Sequence, residues 1–506
     1  MMTHVDPPSH NLLPTLPGIE TDANRRPLRV AIVSGYRAVV PHFETELDIA
    51  QQHLDLGDEV TFIHCDGKLA NCEFNPIKDQ AICKNCCGRR QMGFEMLSKP
   101  VDQILFHNDE LLPEGLSTKF DSLASLIEYR WDGFDIGYAV LSSLVSFCRD
   151  PDPDLEKHAD LIRNLMTTAW QTYQQSLSLF AKQTFDRVYV YNGRFAGMRS
   201  TLRACQKLNV DCYLHERGCD GQHFELLKNH LPHDLEAIEA IILAGWAAAD
   251  ETVREQVGES WFLERYQRVE KVWHSFTKQQ EHDRLPSDWD PARKNVAIFC
   301  SSDDEFVAIG DAWRNELYPN QVDGIEQIVI DMLAREPATQ IYLRMHPNLT
   351  GVDNQRCRRM KSLDYDNLTV IEPDAEIDTY RLVRDSDLVV TFGSSVGAEA
   401  VYWGTPSVLL GPCFYQNLGG VYRAATHEQT LDLLTQQLEP TDKTGVLKYG
   451  YWFQTRGYPH RYFVASGLFD GQFKSQTIYA RPTAKPRGLR RVVGKLLQWV
   501  GQSPKS

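Results

Sequence analysis

Two doubly wound α/β domains facing across a cleft, with a cysteine-rich insertion in the first, are what this sequence predicts. Three observations carry the expectation. Short β-rich runs alternate with stretches of helical spacing, and that rhythm is written twice. The two halves are parted by Asp283-Arg-Leu-Pro-Ser-Asp-Trp-Asp-Pro-Ala292, a polar stretch with two prolines. The length, 506 residues, is more than one ordinary core accommodates.

The first half opens with residues 1–26, which read as a disordered leader: they lack the basic start and apolar centre of a signal peptide. Residues 27–283 then read as the N-terminal domain. Leu28–Ser34 is a β-rich run that breaks at Gly35, and Thr45–Leu56 has the spacing of a helix. Glu59–His64 follows as a second strand, with Arg187–Tyr191 and Val210–Leu214 as later ones and Met198–Leu208 as the helix between those two. Regions 151–183 and 234–280 have helical spacing and few breakers. Residues 294–480 read as the second domain. Its strands are Asn295–Cys300, Ile341–Arg344, Leu368–Ile371 and the run ending at Phe392; its helices cover 322–335, Ile377–Arg384 and the stretch before Gly404-Thr-Pro406.

Composition narrows the function. Net charge is −15, which argues against a general nucleic-acid binder. No run of eighteen apolar residues exists to cross a membrane. A cytoplasmic address follows, and there twelve cysteines serve as thiols or metal ligands rather than as disulfides. Seven Lys/Arg and no Asp/Glu fall in residues 481–506, so the basic charge is gathered at one end of an acidic chain.

The residues that could do chemistry sit where strands end. Thr391-Phe-Gly-Ser-Ser-Val-Gly-Ala-Glu399 runs from a strand through Gly393 into Ser394 and Ser395 and on into a helix. Free N–H groups and the dipole at such a helix start attract phosphate. Glu399 lies one turn after Ser395 and could accept a pair of sugar hydroxyls. The plainer reading is a serine N-cap followed by a surface glutamate. Leu-Arg344-Met-His346-Pro347 also follows a strand, and His-Pro forces an extended residue there, projecting His346 toward the same crevice with Arg344 beneath it. Ser301-Ser302-Asp303-Asp304-Glu305 ends the domain's first strand. In the first half, Asn192-Gly-Arg194 and His215-Glu216-Arg-Gly218 end strands in the same manner.

Taken together, Ser-Ser-Asp-Asp-Glu-Phe, Leu-Arg-Met-His-Pro-Asn, the run from Asp378 through Gly393-Ser-Ser to Glu399, and Gly-Thr-Pro-Ser resemble the bacterial capsule polysaccharide biosynthesis family. The resemblance is clearest over residues 295–411. It implies a GT-B glycosyltransferase with two Rossmann-like domains and the nucleotide-sugar donor in the C-terminal one. The His-Pro and Ser-Ser elements are also similar to transferases that use CMP-Kdo or CMP-sialic acid, and to CDP-glycerol glycerophosphotransferases. The resemblance implies donor-holding roles for Arg344, His346, Ser394, Ser395 and Glu399, joined by Ser301 and Ser302. Asn192 and Arg194 would stand on the acceptor side. A CMP-, CDP- or UDP-linked sugar would pass to a polysaccharide or lipid-linked glycan. An inverting transfer needs a group to take the acceptor proton. Glu216 is the first candidate, His215 the second, with Asp303 and Asp304 as rivals from the opposite wall. No catalytic metal is expected. The alternatives are a UDP-sugar 2-epimerase-like enzyme, whose family has a similar C-terminal layout, and a non-catalytic glycan-binding scaffold used in export.

Two features stand outside this reading. Cys65, Cys72, Cys83 and Cys86, with Cys87 beside them, include one C-x-x-C and lie within the insertion at residues 65–90. Four thiolates would close a structural zinc site or hold an iron–sulfur cluster, and metal would serve as the core of a segment too polar to pack itself. In the tail, Leu489, Val492, Val493, Leu496, Leu497 and Val500 recur at helical spacing, with Arg490, Arg491 and Lys495 on other faces and Trp499 suited to a headgroup layer. This amphipathic tail would dock on anionic lipid at the inner face of the plasma membrane or, in the plainer reading, pack on the protein.

Overall fold

Residues 16–19, 25–35, 39–107, 111–271 and 274–478 are described by the computed structural model of the chain. The basic tail at 481–506 lies outside them, as do 1–15 and 20–24 of the leader. Residues 16–19 correct the reading of the leader as disordered throughout. Leu16 and Ile19 are buried in the first domain's core, and Arg187 donates to the Pro17 and Gly18 carbonyls. Two apolar side chains spaced by a tight turn are enough to anchor a segment whose neighbours are polar.

The chain builds two main sheets. The first contains β1 (Arg29–Ser34), β2 (Glu59–His64), β3 (Asp102–Leu105), β4 (Arg187–Tyr191), β5 (Cys212–Arg217) and β6 (His223–Lys228). The second contains β7 (Asn295–Phe299), β8 (Gln340–Arg344), β9 (Leu368–Ile371), β10 (Leu388–Thr391), β11 (Ser407–Leu409) and β12 (Tyr422–Arg423). The order of the second is β12-β11-β10-β7-β8-β9, and every pairing in it is parallel. All residues of β7, β8, β10 and β11 are buried, as expected of strands covered on both faces. The fold is therefore α/β with two doubly wound sheets.

Around the first sheet lie α1 (His42–Asp55), α2 (Gln80–Glu95), α3 (Leu123–Glu128), α4 (Ile136–Cys148), α5 (Ala159–Lys182) and α6 (Ala196–Lys207). The helices α7 (Leu235–Ala248) and α8 (Arg254–Tyr266) follow. The second sheet carries α9 (Gln321–Arg335), α10 (Gln355–Lys361), α11 (Thr379–Asp385), α12 (Val396–Trp403), α13 (His427–Thr435) and α14 (Thr444–Thr455). Region 234–280 was expected to be helical within the first domain. Its two helices instead share one core with α12 and α14. A Cβ on Gly450 would stand 2.3 Å from the Gly258 carbonyl oxygen, so α8 and α14 cross at a separation that glycine alone permits. Beside that crossing Phe262 stacks on Tyr402 with ring centroids 4.4 Å apart.

The stretch 294–480, read as one domain, is likewise divided. After α14 the chain returns to the first sheet as β13 (Tyr458–Pro459), antiparallel to β6, and then forms the hairpin β14 (Phe463–Gly467) and β15 (Asp470–Phe473). That hairpin caps α1: the buried Asp48 carboxylate accepts the N–H groups of Arg461, Tyr462 and Phe463. Short polar strands such as these give little sequence signal, because their burial is set by what they land on.

The cysteine-rich segment is more ordered than its polarity suggested. Residues 80–95 form α2, whose Gly93 lies against Phe43 and Leu47 of α1, while Arg89 pairs with Glu44 at 2.5 Å. A charged pair and one glycine seat the helix where an apolar stripe would otherwise be needed.

Candidate active site

Because β7 lies between β10 and β8, the three polar strand ends of the second sheet are neighbours at its carboxyl edge. Open α/β sheets bind ligands at this edge. At the end of β10, Gly393 has φ +113°, and a Cβ there would stand 2.7 Å from the Pro412 carbonyl oxygen. Only glycine makes this turn, which aims the start of α12 along the strand end. Ser395 occupies the N-cap position of α12 without a side-chain cap bond, and Ser394 Oγ accepts weakly from the Val396 N–H at 3.3 Å. Gly397 N–H donates to the Ser394 carbonyl at 3.1 Å, so within the first turn the capacity for an anion rests with Ala398 N–H and the weakly held Val396 N–H.

His346 follows β8. Its Nδ1 accepts the Asn348 N–H at 3.1 Å, which fixes the neutral tautomer and leaves the proton on Nε2 as a donor. Burial holds its pKa down to about 4, and although Asp304 opposes this, Arg149, Arg344 and Arg265 keep the surroundings positive. Phe276, from the segment joining the two halves, meets the imidazole edge-on at 5.1 Å. From β7, the Ser301 hydroxyl is buried and makes no hydrogen bond with the protein, while Ser302 Oγ donates to Asp304 at 2.6 Å.

Several candidates are already engaged. Arg344 donates to the carbonyls of Glu372 and Ala375 at 2.9 and 3.0 Å, and burial lowers its pKa to about 10. These two bonds fasten the loop after β9, while Arg344 Nε is buried without a hydrogen-bond partner. Glu399 is buried, not a surface glutamate. Its carboxylate accepts Arg265 Nε at 3.0 Å, Ser395 Oγ at 3.0 Å and the Tyr380 hydroxyl at 2.7 Å, so its place is to hold α8, α11 and α12 together. Arg265 was not legible as a site residue, since a lone arginine late in an amphipathic helix has no motif around it. Its NH2 group also donates to Ser395 Oγ at 3.2 Å, which brings a cation to the start of α12.

The facing wall comes from the first sheet. Asn192, in the left-handed conformation at φ +54°, donates through Nδ2 to Glu216 Oε2 at 2.7 Å, and the Arg217 N–H donates to the other carboxylate oxygen at 3.0 Å. His215 is separated from Glu216 in a way the sequence reading did not foresee. β5 continues to Arg217, so both residues lie on the strand and adjacent side chains take opposite faces. His215 is 1% exposed, beneath α1, with Nε2 3.6 Å from Glu46 Oε1. That burial removes it from the crevice. Arg194, expected beside the acceptor, reaches across to the Glu305 carbonyl at 2.6 Å.

Asp303, Asp304 and Glu305 form a short 3-10 turn wedged between the halves. Arg149, just past α4, pairs with Asp304 and donates to the Asn348 carbonyl at 3.1 Å. Asp304 is therefore engaged in an ion pair that ties the two halves together. Burial raises Asp303 to about 6 against the pull of Arg356, 2.7 Å away. Burial, with Asp304 adding repulsion, raises Glu305 to about 7, and Asn348 Nδ2 donates to its Oε1 at 2.7 Å.

Of the five cysteines in the insertion, Cys65, Cys83 and Cys86 are near enough to Cys72 for their charges to act on it. The half-buried Cys72 thiol is pushed well up by desolvation and then by the charges that Cys65, Glu73, Cys86 and Cys83 would carry. Asn75 Nδ2 donates to Cys83 Sγ at 3.1 Å. Among the described residues, however, the one group of three or more His, Cys, Asp or Glu ligand atoms lying within 4.8 Å of one another is Cys219, Asp220 and His223.

No curated protein matches this chain. Among solved structures, the β-Kdo 2,4-transferase KpsC of Thermosulfurimonas dismutans is similar at 15% identity and TM-score 0.38, covering 55% of this chain and 85% of its own. The UDP-GlcNAc 2-epimerase of Methanocaldococcus jannaschii is similar at 11% identity and TM-score 0.26, covering 84% and 97%. That of Neisseria meningitidis, bound to UDP-GlcNAc, gives 11%, 0.25, 84% and 94%. The fold assignment rests on the two sheets themselves. Residues 291–442, which span the second sheet and its strand-end motifs, match the family model of the capsule polysaccharide biosynthesis protein, the family those motifs resemble.

Proposed function

We propose that this chain is a glycosyltransferase that holds a nucleotide sugar at the carboxyl edge of the second sheet and passes the sugar to a surface-polysaccharide acceptor held by the first domain. The observation that carries the reading is the adjacency of β10, β7 and β8, which gathers Ser301, His346 and the start of α12 at one edge. The family matched over residues 291–442 supports it. The leaving phosphate would be stabilised by the α12 N–H groups, the Ser394 and Ser395 hydroxyls, Arg265 and the His346 Nε2–H. Glu216, oriented by Asn192, would take the acceptor proton.

The test is a panel of CMP-, CDP- and UDP-linked sugars, scored by nucleotide release and by product. One donor should be turned over, and His346→Ala should weaken its binding. Glu216→Gln should keep donor binding and lose transfer. A panel without turnover, or 2-epimerisation of a UDP-sugar without transfer, would overturn the reading.

The same reading includes two further parts. Cys65, Cys72, Cys83 and Cys86 would hold a structural zinc or iron–sulfur centre, supported by their C-x-x-C and spacing in sequence; their sulfurs, no three of which lie within 4.8 Å of one another, would have to draw together around the metal. Elemental analysis of protein purified without added metal checks it. The basic tail would place the protein on anionic lipid beside a lipid-linked acceptor. No helix among the described residues is long and apolar enough to cross a membrane.

A further inference from the structure

We infer that the turn between β5 and β6 is a binding site for zinc or another thiophilic divalent cation, formed by Cys219, Asp220 and His223. One ligand atom from each lies within 4.8 Å of the others. Tetrahedral zinc takes thiolate sulfur at about 2.3 Å and imidazole nitrogen or carboxylate oxygen at about 2.0–2.2 Å, so the three need only a small contraction around one ion. Sulfur, nitrogen and carboxylate together favour zinc over magnesium or calcium, which prefer oxygen alone.

The backbone fixes the arrangement without using the three side chains as its only support. Gly218 N–H donates to the His223 carbonyl at 2.9 Å, His223 N–H to the Asp220 carbonyl at 3.3 Å and Cys219 N–H to the Arg456 carbonyl at 3.0 Å. Asp220 Oδ1 accepts the Gln222 N–H at 2.8 Å and His223 Nδ1 at 2.6 Å. The Cys219 side chain also hydrogen-bonds with the His223 imidazole, so thiol, carboxylate and ring nitrogen already converge at one place. On binding, the cation takes the place of the proton that His223 and Asp220 share, and the Cys219 thiol gives up its own.

Three protein ligands leave a coordination position open, the pattern of sites that bind a water or a further ligand rather than of closed structural sites. Asp220 and His223 line a pocket whose other walls include Arg217 and Lys271. The site is distinct from the donor crevice and does not depend on that assignment.

Zinc protection of the thiol tests it in the full-length protein. Cys219 is partly exposed, so its alkylation by N-ethylmaleimide can be followed by peptide mass spectrometry. Zinc added in several-fold excess over protein, so that the other cysteines are already supplied, should slow modification of Cys219 at least about tenfold, and magnesium in the same excess should not. In His223→Ala the zinc protection should be lost while Cys219 still reacts, and circular dichroism checks that this variant is folded. Because the readout is specific to Cys219, metal held by the other cysteines does not confuse it. An unchanged Cys219 rate in zinc, or protection that persists in His223→Ala, would overturn the proposal.

Discussion

His346 and Glu305 owe their chemistry to what surrounds them. His346 is neutral with its Nδ1 occupied, so it offers one oriented donor. Removing it with His346→Ala should cost nucleotide binding about 1–3 kcal/mol, the range for a hydrogen bond to a charged group. Calorimetry with CMP, CDP and UDP measures this, and unchanged affinity would remove His346 from the site. Glu305 makes a prediction in pH. Its carboxyl titrates near 7 in the folded protein, against about 4.3 in an unfolded chain. Between those values the folded form keeps a proton that the unfolded form has released. Stability from this group is therefore full below about pH 4 and falls as pH rises to 7, by at most about 1.4 kcal/mol per unit. Melting temperature recorded from pH 5 to 8 should decline in the natural protein and decline less in Glu305→Gln. Parallel curves would mean that Glu305 is not the group responsible. The donor edge was readable from sequence because Gly-Ser-Ser and His-Pro punctuate strand ends by local chemistry alone. Arg265 and Glu305 were not, because their importance comes from partners more than a hundred residues away, or from burial that no local pattern records.

At the scale of elements, the β10–α12 turn depends on Gly393. An alanine there would have to hold φ near +113° and push its Cβ to 2.7 Å from the Pro412 oxygen. Gly393→Ala should destabilise the protein by about 1–3 kcal/mol and weaken nucleotide binding with it, since the start of α12 would be displaced. Urea denaturation and the same calorimetry report the two effects, and a variant with natural stability would show that the turn tolerates rearrangement. The neighbouring elements show how far periodicity goes. Buried parallel strands of the second sheet announce themselves as apolar runs, and their ends fall within a residue or two of the expected positions. β5 ran past its expected end at Leu214, because Glu216 and Arg217 are polar residues paired with Glu225 and Phe224 on β6, an antiparallel partner supplied later in the chain. That extension moved His215 out of the crevice while leaving Glu216 at its wall.

For the whole molecule, the two halves are joined by charge and by chain. Arg149, Arg194 and Arg199 of the first half reach Asp304 and the carbonyls of Asn348, Glu305 and Ile309 in the second. The chain then returns, and residues 458–478 complete the first domain. A doubled α/β rhythm is legible in sequence, but this return is not, since two-residue and four-residue strands have no period to detect. Two truncations separate the return from the tail. Deleting 458–506 would strip three N–H donors from Asp48, which is fully buried and otherwise bonded to Gln52, and would expose the edge of β6. Leaving a buried acceptor without its donors costs about 1–3 kcal/mol. Deleting 481–506 alone removes none of those bonds. The longer deletion should therefore fall in urea midpoint or fail to fold, and Asp48→Asn, which keeps the shape and weakens the acceptor, should show a smaller loss in the same direction. The shorter deletion should keep the natural midpoint but lose co-sedimentation with anionic vesicles, an association that in the full chain should weaken with salt. Equal pelleting of the full chain and the shorter deletion would assign the amphipathic tail to packing on the protein, whereas a natural midpoint in the longer deletion would mean that the return through β13 to β15 is dispensable to the first domain.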